Sequence, residues 1–294
     1  MIERWRKDGH EVQFEMGFNP EFLKWCDVFF CDVCDNNAKV ATHEYGDIAK
    51  TKKFFVRCLD IEAWLRHPDA VDWNNASGLI FINKMIHDMV VPNLNRPDLP
   101  IKIIKCGVNL EKFTLRKEIG GKKIAAIFGI NRLYNDKRVD DAIRIFHQIH
   151  FRHDPEYTLH ILGTNSQGQP YYTQYFRKFV EETGLSDFVT FTDHVHDVNA
   201  WLEDKSYIIT PGIKEAFNFA TAEAMAKGIK PVINHFLGVY NIWPKEYVYN
   251  NFDEAVEMLL SPAEPDKYRQ YIVDNYDFER YYREMNEFMG IVKP

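Results

Sequence analysis

Two glutamates could do chemistry in this chain. Glu215 and Glu223 stand eight residues apart around the run Ala-Phe-Asn-Phe-Ala-Thr-Ala, just after a short apolar strand that ends in Pro211-Gly212. We expect one carboxylate in a loop and the other about two turns into the following helix. N–H groups at a helix start hold anions, and carboxylates accept hydrogen bonds from hydroxyls. The pattern therefore predicts a site for a sugar plus a phosphate, the alternative being a helix cap and a surface acid.

Three segments of the chain carry a family resemblance. The strand, loop, Glu-x7-Glu and Gly-x-x-Pro-Val-Ile run of residues 207–233 resembles the donor site of family-four retaining glycosyltransferases of the GT-B fold. Residues 131–138 resemble the family's Gly-Arg-Leu-x3-Lys-Gly loop, and residues 107–113 resemble the Gly-Val-Asp-x2-x-Phe segment that closes its first domain. The likeness covers residues 9–290 and is strongest over 123–244.

The resemblance implies that Arg132 and Lys137 bind the donor diphosphate and that Glu215 faces the transferred sugar. Negative charge builds on a diphosphate leaving group as the glycosyl bond breaks. Fixed cations therefore stabilise the transition state more than the ground state. The chain has Asn131 and Arg138 where the family has glycine. Asparagine accepts a left-handed backbone, whereas arginine adds charge and could alter the turn.

The same resemblance assigns residues around the nucleotide of a nucleotide diphosphate sugar whose base the sequence leaves open. Glu223 would accept hydrogen bonds from the ribose hydroxyls. The backbone N–H groups that would hold the distal phosphate belong to Phe217, Asn218 and Phe219. Gly163 matches the family's strand-terminal glycine at the nucleotide, and His194 and Val195 lie where the nucleobase usually rests. No metal is expected, because His194 and His196 have no third ligand at an evident spacing.

The acceptor side is less well marked. Residues 56–62 resemble a family segment that often carries a histidine near the sugar, and Leu59 occupies that histidine's position here. The polar residues that could take over its contacts are Arg57, Asp60, Glu62 and, from a neighbouring loop, His43. For His43 the favoured interpretation is a loop or capping histidine.

Composition limits the class of protein. The 294 residues are 46% hydrophobic and carry a formal charge of −7, so the chain can bury a large core and has no global basic field for nucleic acid. The N-terminus lacks an apolar signal core, and no stretch is long and apolar enough to span a bilayer, which favours a cytoplasmic protein. Five cysteines without a secretion signal indicate reduced thiols.

Buried strands separated by helix-length segments predict an α/β protein with mostly parallel sheets. The predicted strands are residues 27–31, 54–57, 79–82, 101–104, 123–128, 157–162, 189–191, 207–210 and 231–233. We expect two Rossmann-like domains with a central cleft, residues 1–115 on the acceptor side and 121–267 on the nucleotide-sugar side. The polar run 116–121 is the predicted linker, and a C-terminal helix over 268–294 is expected to complete the first domain. The family's opening strand with its glycine-rich loop has no counterpart in this sequence, so we expect either a truncated start or a sheet that is one strand short.

Three functions follow from these features. The first is a retaining glycosyltransferase that moves a sugar from a nucleotide diphosphate sugar to a hydroxyl of a carbohydrate or glycan acceptor. The second is a catalytically weakened nucleotide-sugar-binding or partner subunit, suggested by Leu59 and the missing strand. The third is a phage-type enzyme acting on modified DNA, which the acidic charge disfavours without excluding.

Overall fold

The structure is a computed structural model that describes residues 1–116, 121–129, 135–163 and 171–293. The chain divides into two compact units, unit 1 (Met1–Gly107 with Phe278–Pro294) and unit 2 (Val108–Asp277). Each contains a parallel sheet and helices, which confirms the predicted α/β class with two Rossmann-like units. None of the helices in the described ranges is long and apolar enough to cross a membrane. All five cysteines are free thiols.

Unit 1 contains, within its described residues, a four-stranded sheet in the order β1-β2-β3-β4 with every neighbouring pair parallel. Its strands are β1 Val28–Cys31, β2 Lys53–Cys58, β3 Gly78–Phe81 and β4 Ile101–Ile103. Its helices are α1 Ile2–Lys7, α2 Pro20–Trp25, α3 Asn36–His43, α4 Gly46–Ala49, α5 Ile61–Trp64, α6 Lys84–Val90 and α13 Phe278–Met289. Residues 1–27 contain no strand, so β1 forms the sheet edge.

The core of unit 1 includes side chains from both ends of the chain. Trp5 of α1 and Met285 of α13 pack with Phe55 and Ile80 of the central strands. The Trp5 indole Nε1 also donates to Asn286 Oδ1 at 2.7 Å. The C-terminal helix is therefore part of this unit's hydrophobic core.

Unit 2 contains a six-stranded sheet in the order β10-β9-β8-β5-β6-β7, again with all described pairs parallel. Its strands are β5 Lys123–Gly129, β6 Thr158–Gly163, β7 Val189–Thr192, β8 Tyr207–Thr210, β9 Lys230–Asn234 and β10 Val248–Tyr249. Its helices are α7 Val139–Arg152, α8 Tyr171–Glu182, α9 Val198–Trp201, α10 Phe219–Ala226, α11 Phe252–Leu260 and α12 Pro265–Tyr276. In a parallel sheet all carboxyl ends share one edge, where ligands of open α/β sheets bind.

Helix α10 is built from small residues. Ala222, Ala224 and Ala226 are fully buried, and the buried Thr221 hydroxyl lies 2.5 Å from the Thr210 hydroxyl of β8. Short side chains let the helix backbone approach the sheet closely. The helix that carries Glu223 is thus held firmly at the carboxyl edge of β8.

Three features differ from the sequence predictions. Residues 268–289 are not one helix, because Asp277 takes an extended conformation between α12 and α13 and forms an isolated parallel bridge with Val108. The short strand β10 was not predicted. Arg116, placed in the linker by its polarity, is buried in unit 2, where its N–H donates to Lys227 O at 3.3 Å; residues 117–120 lie outside the described ranges.

Candidate functional site

The carboxyl ends of β5 and β8 bring two predicted site residues together. Lys137 follows β5 and Glu215 follows β8, and their Nζ and Oε1 atoms are 2.7 Å apart. The two side chains are only 16% and 8% exposed. Ile213 N–H also donates to Asp136 O at 3.0 Å, which ties the two loops together. A largely buried ion pair 78 positions apart in sequence therefore marks this edge.

Gly212 makes the position of Glu215 possible. A Cβ atom at residue 212 would lie 2.5 Å from Glu215 Oε1 and 3.5 Å from Asp136 O. Asn234 at the end of β9 fixes the same loop, because its Nδ2 donates to Pro211 O at 3.1 Å. Sequence reasoning used the Pro-Gly pair only as a strand end and missed both contributions, although a glycine two residues beyond a buried strand is a usable signal for close packing.

The start of α10 is free to bind an anion. Asn218 is the N-cap residue, in a left-handed conformation (φ 65°), and its Oδ1 accepts the N–H of Thr221 at 3.0 Å. The backbone N–H groups of Phe217, Asn218 and Phe219 donate to no other described residue. These are the groups predicted to hold a phosphate. The side chains play other parts: Phe217 is buried, its ring stacked 5.7 Å from that of Trp243, whereas Phe219 is half exposed.

Two residues near this edge, one of them the Arg138 that replaces a glycine of the family loop, have a glycine-like backbone. Asn218 has φ 65°, and Arg138, the N-cap of α7, has φ 51°. Left-handed geometry costs a side-chain-bearing residue roughly 1–2 kcal/mol. Arg138 offsets part of this cost through its ion pair with Asp141 at 2.9 Å. Both residues therefore adopt a backbone conformation that glycine would adopt without strain.

Glu223 is in the second turn of α10, closer to the helix start than predicted because the helix begins only at Phe219. Its side chain is half-buried, and its carboxylate makes no hydrogen bond or ion pair with any described residue. Burial raises the pKa of Glu223 to about 7, and the nearby Lys112 ammonium opposes that rise. An unpartnered carboxylate beside a free helix start can accept ligand hydroxyls.

The predicted nucleobase residues follow the next two strands of the same sheet. Gly163 ends β6, in register with Gly129 at the end of β5. His194 and Val195 follow β7; His194 is exposed, and its ring lies 5.2 Å from that of His196. Arg132, the second predicted cation, lies outside the described residues, as do Asn131 and the loop 164–170.

Two of the predicted acceptor residues of unit 1, Arg57 and Glu62, have partners within that unit. Arg57 Nη2 is 2.6 Å from Asp32 Oδ1, and its Nη1 donates to the Tyr281 hydroxyl at 2.9 Å. Glu62 is buried, and its Oε2 accepts the N–H of Leu59 at 3.0 Å. Asp60 is half-buried at the start of α5 and makes no side-chain cap. These residues share the carboxyl end of β2 and the turn beyond it.

His43 does not join that group. It is the last residue of α3, the helix that runs back from the carboxyl end of β1 toward the amino end of β2. Its Nε2 lies 3.0 Å from Ala70 O. The histidine is therefore at the opposite edge of the sheet from Arg57 and acts as a contact between α3 and the turn at residue 70.

Among residues 1–116, 121–129, 135–163 and 171–293, no group of three or more His, Cys, Asp or Glu side chains could hold a metal ion.

The chain belongs to the family described as glycosyl transferases group 1, whose model matches residues 124–274, more than half of the sequence. A search of curated proteins found no match.

Several solved glycosyltransferases share the fold. HepE from Anabaena, in a complex with UDP, has a TM-score of 0.76 at 13% identity over 93% of this chain and 80% of its own. Sucrose-phosphate synthase from Thermosynechococcus elongatus has a TM-score of 0.72 at 15% identity over 91% and 74%. TarM has a TM-score of 0.69 at 15% identity over 89% of this chain, which spans only 54% of TarM. At these identities the likeness establishes the GT-B fold.

Proposed function

We propose that this protein is a retaining glycosyltransferase that transfers a sugar from a nucleotide diphosphate sugar to a hydroxyl of a carbohydrate acceptor. The observation that carries the proposal is the edge formed by the Lys137–Glu215 pair, the free N–H groups at the start of α10 and the unpartnered Glu223. Cation, helix start and carboxylate match the diphosphate, distal phosphate and ribose of such a donor.

The roles in the reaction follow from charge. Lys137 and the N–H groups of residues 217–219 stabilise the negative charge that builds on the departing diphosphate. Glu215 orients the Lys137 ammonium, and Glu223 anchors the ribose. In a front-side reaction the leaving diphosphate oxygen takes the acceptor proton, so no strong protein base is required and Leu59 is compatible with turnover. Arg132 is the proposed second cation, and Gly163, His194 and Val195 are proposed to border the base.

Uridine diphosphate is the nucleotide to test first, because HepE was solved in complexes with UDP and with UDP-glucose. The purified chain is assayed for UDP binding by calorimetry and for hexose transfer from UDP-glucose to a panel of glycans, with the product's anomeric configuration read by NMR. We expect UDP binding and an α-linked product. No binding of UDP, GDP, ADP, CMP or dTDP would overturn the proposal, and a β-linked product would overturn retention.

Lys137→Ala, compared with a variant that loses a lysine elsewhere, tests whether the Lys137 ammonium itself contributes to catalysis. Removing a transition-state cation should lower the transfer rate about 10²–10³-fold. Lys123→Ala is the matched control. Lys123 lies at the amino end of β5, the strand that Lys137 follows, and its ammonium pairs with Asp204 at 2.6 Å on the surface. Equal activity of Lys137→Ala and wild type would remove Lys137 from the mechanism.

One observation favours a second candidate, a nucleotide-sugar-binding subunit without transfer. Arg57 and Glu62 of unit 1 are already engaged with Tyr281, Asp32 and the Leu59 N–H. UDP binding without transfer to any acceptor in the panel would support this alternative.

A further inference from the structure

The turn at the start of α10 is not held in place by its own N–H groups. The N–H groups of Phe217, Asn218 and Phe219 donate to no other described residue, and they are the groups that the proposed function assigns to the distal phosphate. Phe217 lies outside the regular elements, between Thr210 at the end of β8 and Phe219 at the start of α10. N–H groups stabilise a ligand charge best when the surrounding structure fixes their direction beforehand. The backbone at residue 217 therefore needs an anchor other than its N–H group.

The side chain of Phe217 provides that anchor. Its buried ring stacks on the Trp243 ring, with 5.7 Å between the centroids and 17° between the planes, and lies 4.7 Å from the Tyr276 ring. Trp243 and Tyr276 are also buried, and their own rings are 5.7 Å apart. Aromatic rings attract one another at such distances in offset and tilted arrangements. These three residues, the ring cluster, hold the Phe217 side chain through two separate partners.

Both partner rings are fixed by hydrogen bonds to backbone groups of unit 2. The Tyr276 hydroxyl donates to Ile242 O at 2.6 Å, and Tyr276 O accepts the Val108 N–H at 2.7 Å. The Trp243 backbone N–H donates to Val239 O at 2.8 Å. Tyr276 is the last residue of α12, whereas Trp243 follows the short turn beyond β9. The anchor of the turn thus comes from segments that are distant in sequence.

Trp243 contributes through its ring and not through its indole N–H group. The Trp243 Nε1 atom is buried and has no hydrogen-bond partner in the described parts of the chain. A buried N–H group without a partner lowers stability. Phenylalanine at this position would keep an aromatic ring and remove the unpartnered donor, which makes Trp243→Phe a useful conservative variant.

We propose that Trp243 and Tyr276 are positioning residues of the donor site, which hold the Phe217 ring and thereby keep the N–H groups of residues 217–219 directed at the distal phosphate. Neither residue needs to touch the nucleotide. The inference rests on the proposed function, since that function assigns these N–H groups to the donor. The ring cluster should therefore contribute to the affinity for a nucleoside diphosphate and not to the affinity for the monophosphate, which lacks the distal phosphate.

The test compares UDP binding with UMP binding by calorimetry in wild type, Tyr276→Leu and Tyr276→Phe. Tyr276→Leu removes the ring and should weaken UDP binding about tenfold, as expected from the loss of about one hydrogen bond to a charged group. Its affinity for UMP should stay at the wild-type value. Tyr276→Phe keeps the ring and loses only the hydroxyl, so it should retain most of the preference for UDP.

Tyr268→Leu is the matched control. Tyr268 is a buried tyrosine of the same helix, its ring lies 5.5 Å from that of Tyr247, and its hydroxyl accepts the Glu264 N–H at 2.9 Å. We expect thermal unfolding to show a loss of stability in Tyr268→Leu similar to that in Tyr276→Leu, because each variant loses a buried ring and a hydrogen bond. Only Tyr276→Leu should change the ratio of the UDP and UMP affinities.

Two further variants test the ring cluster independently of Tyr276→Leu and its folding. Phe217→Leu should lower the preference for UDP over UMP as Tyr276→Leu does, and Trp243→Phe should keep it. An unchanged UDP affinity in Phe217→Leu, or an equal loss for UDP and UMP, would overturn the positioning role. Wild-type protein that binds none of the nucleoside diphosphates would instead overturn the proposed function, and with it the assignment of these N–H groups to a phosphate.

Discussion

The carboxyl edges of the two sheets use polar groups differently. In unit 2, Glu223 and the N–H groups at the start of α10 have no partners among the described residues. In unit 1, Arg57 is held by Asp32 and Tyr281, and Glu62 accepts the Leu59 N–H. Buried polar groups are normally satisfied within a protein. The unit 2 edge therefore carries an energetic cost that a ligand can remove, whereas the unit 1 edge is stable by itself.

This contrast explains why the sequence motifs point to a proposed donor side and leave the proposed acceptor side open. An edge that must hold a diphosphate requires cations and a free helix start. An edge whose polar side chains bind one another also has charged residues, but there they stabilise the fold. The sequence alone does not distinguish charged residues that bind a ligand from charged residues that stabilise the fold.

The largest expected effect on stability comes from ionisation of the unpartnered Glu223 carboxyl group in the folded state. Its pKa of about 7, against an ordinary value of 4.5, means that the folded state binds the proton more tightly than the unfolded state. The free energy of unfolding without ligand should therefore decrease as pH rises from about 4.5 to about 7, by at most roughly 3 kcal/mol, and stay constant above. Urea titrations at each pH, compared with Glu223→Gln, measure this difference.

Glu62→Gln is the comparison in unit 1. Burial also raises the pKa of Glu62, yet its carboxylate accepts a backbone N–H, which opposes the rise. We expect the pH-dependent difference to be smaller for Glu62→Gln than for Glu223→Gln. The reverse order would break the contrast between the two edges.

A smaller effect is expected at the start of α10. Asn218→Ala loses the cap to Thr221 and keeps a left-handed backbone that alanine disfavours, so stability should fall by about 2 kcal/mol. Asn218→Gly loses the same cap without the backbone penalty and should cost under about 1 kcal/mol. Thermal or urea unfolding of both variants provides the measurement. Equal losses would show that backbone geometry contributes nothing here.

The smallest effect tests the internal role of the unit 1 edge. Tyr281→Phe removes one hydrogen bond from Arg57, which should cost about 1 kcal/mol of stability. Because this group is proposed to serve folding, the dissociation constant for UDP should be unchanged. A clear change in UDP affinity would contradict that division of roles.

Strand positions were predictable because runs such as Phe54-Phe55-Val56 are apolar and end in polar residues. The fold class followed from strand order, whereas the assignment of Lys137, Glu215 and Glu223 to one donor site, which the family resemblance implies, stays a prediction. The break at Asp277 was not predictable, because it depends on pairing with Val108, a residue 169 positions earlier. His43 was misplaced in a loop near the acceptor residues, since its helix contacts Ala70 at the opposite sheet edge.

The sequence by itself determined the α/β pattern, the charges near the donor site and the small residues that let α10 pack closely. The tertiary structure decided which polar groups are left without partners. The fit of Glu215 against Gly212, its ion pair with Lys137 and the hydrogen bond from Ile213 to Asp136 all depend on contacts between separate loops. Such contacts arise only when parallel strands bring their carboxyl ends to one edge, which no local stretch of residues encodes.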